Sequence, residues 1–161
     1  MAMYGNLDAV RAGTLDGLEH NFIHKRGDVG FVFGEPVFVT PGNETDGFAA
    51  DVTDTDLLFQ GVTVASYYSD NLVEGEYPAG HSQPVCTEGE IWVQLGSTVS
   101  GTDVFGAEAL VVGLVGDADF GLWTDTAAVG ETVSVGVYFT SNAVAVGETG
   151  SEVYFAKVKL G

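Results

Sequence analysis

The chain has 161 residues, enough for one domain, or one domain with a short appended arm, and enough to bury a core without disulfides or a structural metal. Its hydrophobic content of 45% excludes disorder, and 23 Asp and Glu against five Lys and Arg give a net charge of −18, which excludes a surface that neutralises nucleic-acid phosphates. Such a charge suits work in concentrated salt, where the Debye length falls to about 3 Å at 1 M from about 10 Å at 0.1 M, or serves solubility alone.

Glycine supplies 23 of the 161 residues, about twice the usual share. Scattered between apolar runs, these glycines mark tight turns and many short strands. No apolar run reaches about 18 residues, so no helical membrane span is expected. Residues 1–5 lack a charged region followed by an apolar run, so no secretory leader is expected. Cys86, the single cysteine, sits in Pro84-Val85-Cys86 and reads as a small buried residue.

In chain order, residues 1–27 read as an extended N-terminal arm and residues 28–161 as a β-rich domain. Leu7, Val10, Leu15 and Leu18 have helical spacing, but Gly13 and Gly17 interrupt it at about 1 kcal/mol each. At most a short helix is expected there. Arg11, Lys25 and Arg26 lie in the arm. Strands are expected at 29–33 and 37–39, a loop at 41–56, and a strand at 59–68, which is β-branched and aromatic. Residues 69–83 are turn-rich.

Val85-Cys86 and Ile91–Leu95 flank Thr87-Glu88-Gly89-Glu90, which reads as a hairpin. Ile91, Val93 and Leu95 share one face of that strand, so Trp92 points to the other, toward a second layer or a subunit. Residues 109–115 are continuously apolar and look buried on both faces. Val133, Val135, Val137 and Phe139 alternate with Ser134, Gly136 and Tyr138. A last strand at 152–160 places Tyr154, Ala156, Val158 and Leu160 opposite Lys157 and Lys159. Ala128-Val129-Gly130-Glu131-Thr132 recurs at 145–149 and reads as two similar turns entering strands. The expected fold class is all-β, a small β-barrel or sandwich-like domain with an extended N-terminal arm.

Catalytic motifs are only approached. Gly80-His81-Ser82-Gln83-Pro84 begins like a nucleophile elbow but ends on Pro84 and lacks a strand–turn–helix context. His20 and His24 are four apart, with Asn21 where a zinc protease needs Glu. Asp51, Asp54 and Asp56 cluster, as do Asp117, Asp119 and Asp125. Calcium uses such oxygens, but neither set has EF-hand spacing, and clusters arise by chance in so acidic a chain. Asn43-Glu44-Thr45 matches a glycosylation acceptor.

The succession Gly34-Glu35-Pro36-Val37, Phe59-Gln60-Gly61-Val62-Thr63-Val64-Ala65, Glu76-Tyr77-Pro78-Ala79-Gly80 and Glu88-Gly89-Glu90-Ile91-Trp92-Val93, closing on Gly147-Glu148-Thr149, resembles the structural cement (decoration) proteins of tailed viruses. The resemblance spans roughly residues 10–160. It implies a β-barrel-like domain with an N-terminal arm, sitting as a homotrimer on the outside of the capsid where major capsid protein subunits meet. It implies no enzyme activity and no cofactor. The charge departs from a typical bacterial-virus member and would suit a virus of salt-loving cells. The expected contacts with capsid or neighbouring subunits are Arg11, Phe22, Lys25, Arg26 and Trp92. Two other readings remain. One is a carbohydrate-binding or adhesive virion module with Trp92, Trp123, Tyr67 and Tyr68 as an aromatic platform. The other is a hydrolase using the acidic clusters.

Overall fold

The computed structural model describes residues 11–65 and 75–161. Among these residues the backbone forms twelve strands and no helix. They are β1 (Leu15–Gly27), β2 (Phe31–Val32), β3 (Pro36–Thr40), β4 (Asn43–Phe48), β5 (Leu58–Thr63) and β6 (Glu76–Tyr77), then β7 (Ser82–Gln94), β8 (Glu108–Val112), β9 (Trp123–Thr124), β10 (Thr132–Tyr138), β11 (Val144–Val146) and β12 (Val153–Leu160).

Five of them close on themselves. The order β1-β4-β3-β5-β7 returns to its start because β1 also pairs with β7. Closure removes two exposed sheet edges. On the other side β7 pairs with β12, through Ala156↔Val93 and Val158↔Ile91. Strands β10, β8 and β9 form a small sheet of their own. Two single bridges, Phe139↔Val158 and Leu95↔Trp123, lean that sheet against β12 and the end of β7. A second ring, β7-β12-β10-β8-β9, therefore shares β7 with the first.

The alternating segments behave as the pleat requires. Ile91, Val93 and Leu95 are buried, and so are Ala156, Val158 and Leu160. They join Val111, Val137, Phe139 and Trp123 in the main core. A smaller cluster of Phe31, Val37 and Val85, with Ile23 and Ala49 against it, fills the first ring. Within residues 109–115, Ala109 to Val112 are buried, whereas Val115 lies beyond β8 and is exposed.

Three sequence expectations are corrected. The stretch with weak helical spacing, read as an arm with at most a short helix, is strand from Leu15, because Leu15 and Asp16 pair with Ile91 and Glu90 of β7. The expected loop at 41–56 contains β4, whose polar residues hide it: it is held by β3 and by parallel pairing with β1, and Gly47 alone is fully buried in it. The expected hairpin at 87–90 is no reversal, since β7 runs through it. Gly89 has φ +110°, and a Cβ there would lie 2.4 Å from the His20 ring and 2.6 Å from the Glu19 carbonyl. Here β1 crosses β7 closely and bulges, its register jumping from Asp16↔Glu90 to Asn21↔Glu88. The strand expected at 59–68 is seen as β5; Tyr67 and Tyr68 lie outside the described residues. Of the two repeated turns, the first enters β10, and the second spans the end of β11 and the turn into β12.

The halves are pinned at one seam. The Trp123 indole Nε1 donates to the Gly34 carbonyl at 3.1 Å, and the Trp123 ring meets Phe59 edge-on at 6.3 Å. Trp123→Phe keeps most of the packing but leaves that buried carbonyl without its donor. An expected loss of about 2 kcal/mol follows, measurable by urea denaturation; a loss below about 0.5 kcal/mol would show that the bond does not hold the seam.

Candidate interaction surface

Cations are confined to one side of the topology. All five Lys and Arg fall at Arg11, Lys25, Arg26, Lys157 and Lys159, and residues 27–156 contain none. β1 and β12 carry four of them, and both strands flank β7. Most are committed within the chain. Lys25 is buried, and its ammonium donates to the Glu44 carbonyl. Arg26 is exposed and pairs with Asp46 at 2.8 Å. Lys157 pairs with Asp16 at 3.0 Å and Glu90 at 3.4 Å, and lies 5.6 Å from the Trp92 ring centroid. Hydrogen bonds from Asn43 and then Arg26 hold the Asp46 carboxyl below its ordinary range, and the bond that Lys157 donates to Asp16 leads in raising the Lys157 pKa.

Among the residues expected to make contacts, Arg11 is exposed and Phe22 is 45% exposed, stacked on His20 at 6.1 Å. Phe22, His24 and Arg26 share the outer face of β1, while Ile23 and Lys25 share the inner one. Trp92 is half-buried beside Lys157. The structure thus leaves Arg11, Phe22 and Arg26 at the surface and draws Lys25 inside.

Sequence reasoning missed a different feature: large apolar side chains standing on turns. Phe105 is 66% exposed, Val115 69% and Val129 fully. Val115 was signalled by the end of the apolar run at 109–115, read there as wholly buried.

The acidic clusters are used locally. Asp51 Oδ1 accepts from the Thr53 amide and hydroxyl, lowering its pKa, and Asp54 Oδ1 accepts from the Asp56 amide. Asp117 accepts from the Asp119 amide, Asp119 from Ser97, and Asp125 from Ser100. These are turn-capping bonds of the kind Asp favours. Among the described residues no group of three His, Cys, Asp or Glu is placed to hold a metal. Asn43 spends its side chain on Asp46, donating at 3.1 Å and accepting at 3.2 Å. Cys86 is buried, and desolvation leads in pushing its thiol up to about 11. The aromatic platform of the carbohydrate reading is not assembled, because Trp123 is fully buried.

One carboxyl lies in the seam. Glu35 Oε2 is shut off from solvent with no hydrogen-bond partner, beside a cavity of about 60 Å³ also lined by Gln94, Phe120 and Gly121. Desolvation raises its pKa to about 8; a backbone hydrogen bond at Val32 opposes this and the charge of Glu76 adds to it.

A family model described as structural cement protein (E217 gp24/Pam3 gp6) matches residues 6–155. No curated protein matches the chain. Among solved structures, a chain from the capsid of Myoviridae phage XM1 has the same fold, with a TM-score of 0.69 over 94% of this chain and 90% of that one at 14% identity. The chain therefore belongs to the structural cement protein family, and it is a cement protein of the phage capsid, a structural component of the virion.

Proposed function

We propose that the protein clamps the outer surface of the major capsid protein shell as a homotrimer and performs no catalysis. The observation that carries this reading is the set of apolar side chains left in solvent on a strongly acidic chain, Phe105, Val115 and Val129 foremost. Large apolar residues displayed on a rigid β framework suit covered protein contacts. The framework itself is two rings sharing a strand, which suits a clamp that must resist deformation.

The surface residues Arg11, Phe22, Arg26 and Trp92 are proposed as secondary contacts. An arm that reaches a neighbour is proposed only ahead of β1. Removing all of residues 1–27 would take β1 out of its closed ring, so the test of the arm is deletion of residues 1–10. Mass in solution at low and multimolar salt, followed by co-sedimentation with shells lacking the protein, tests the whole reading. A trimer that sediments with shells is expected. Wild-type protein that fails to sediment at every salt concentration overturns it.

A further inference from the structure

A groove of about 420 Å³ runs along the seam between the two rings. Its walls are apolar: Val29 and Leu57 come from the first half of the chain, Val115 and Phe120 from the second. Val29 is 45% exposed and Val115 69%, although their neighbours Phe31 and Val112 are buried. The seam is fixed at this point, since the Val52 amide donates to the Gly113 carbonyl at 3.0 Å.

The rim is acidic. Asp28, Asp51 and Asp54 line it. Asp51 Oδ1 accepts from the Thr53 amide and hydroxyl and Asp54 Oδ1 from the Asp56 amide, so neither carboxylate is matched by a cation in these bonds. Every lining residue belongs to the stretch 27–156, which contains no Lys or Arg. No Lys or Arg lines the groove, and the nearest in sequence, Arg26, is paired with Asp46, so an occupant that brings its own cation complements this rim. A second copy presenting the same stretch would bring carboxylates against carboxylates, which costs free energy as like charges meet.

We propose that this groove docks a segment of the shell protein that presents an apolar side chain flanked by Lys or Arg. The proposal rests on the capsid-binding reading above and adds to it the place and the chemistry of the contact. The apolar walls take the side chain out of water, and the rim carboxylates select for flanking cations and hasten encounter. Salt then weakens the charge contribution and leaves the apolar one, so that contact survives in concentrated salt.

The test compares wild type, Val115→Glu and the double variant Asp28→Asn/Asp54→Asn for binding to shells stripped of the protein, at about 0.1 M and about 1 M salt. Circular dichroism confirms folding of each, and Val115 is exposed enough to accept Glu. Val115→Glu is expected to bind roughly tenfold more weakly at both salt concentrations. The double variant is expected to bind several-fold more weakly at low salt and like wild type at high salt. Wild type that binds while both variants bind equally well overturns the groove and leaves the capsid reading standing. Wild type that does not bind sinks both. A folded Val115→Glu that dissociates an oligomer of the free protein assigns the groove to a second copy instead, and overturns the proposal.

Discussion

Gly61→Ala is expected to destabilise the protein by more than about 3 kcal/mol, with a fall in Tm of about 10 °C. A Cβ at Gly61 would lie 2.1 Å from the Cys86 carbonyl oxygen and 2.9 Å from Val85 Cγ1. The nearer neighbour is backbone, so no rotamer relieves the clash. It is also backbone of β7, next to the pair Val62↔Cys86 that joins β5 to β7. Moving it away opens the first ring and shifts the strand that the second ring uses. Thermal and urea denaturation read the effect, and a Tm within about 2 °C of wild type would show that the crossing is looser than the structure has it. The requirement explains why glycine stands in the middle of the Phe59–Ala65 segment, where an apolar strand would otherwise take a larger residue.

Glu35→Gln is expected to stabilise the protein at pH 8 and above, and to do so progressively less as pH falls. In the folded protein the Glu35 pKa is raised from 4.5 to about 8, so the folded state holds a proton that the unfolded state has released. Stability contributed at this position is therefore full below about pH 4.5, falls between about 4.5 and 8, and is flat above. At 1.36 kcal/mol per unit the whole change is on the order of 3–5 kcal/mol. Gln is neutral throughout, so the difference between variant and wild-type stability isolates Glu35 from the other 22 carboxylates. That difference should grow from near zero at pH 4.5 to several kcal/mol at pH 8–9. A difference that does not vary across this window would mean that Glu35 is solvated in the native state.

Strands were legible where the pleat alternates cleanly, as in Ile91-Trp92-Val93 and Tyr154–Leu160, because one buried face imposes a period of two. β4 was not, since Asn43-Glu44-Thr45-Asp46 reads as loop and only its partners make it a strand. β1 was hidden for a related reason. Its inner face carries Ile23 and Lys25 and its outer face Phe22, His24 and Arg26, so apolar and basic residues fall on both sides. Once β1 is known to be a strand, the burial of Lys25 follows from its sharing a face with Ile23. The turn-like Thr87–Glu90 segment was misread because a glycine at a bulge has the same composition as a glycine at a hairpin. The groove could not be read at all, since Val29, Leu57 and Val115 are brought together only by the meeting of the two rings. The cement-protein reading, by contrast, came from a resemblance of short glycine-centred segments, in their order along the chain, to a known family, and the family match over residues 6–155 bears it out.

β7 belongs to both rings, and this has a mechanical consequence. Two domains joined by a linker can peel apart one at a time under load, each failing at its own threshold. Here one unbroken strand of thirteen residues forms a wall of each ring. Force entering at one end of the molecule passes to the other along covalent backbone with no hinge between them. The rings have no linker at which to part, so separating them means stripping partner strands from β7 itself.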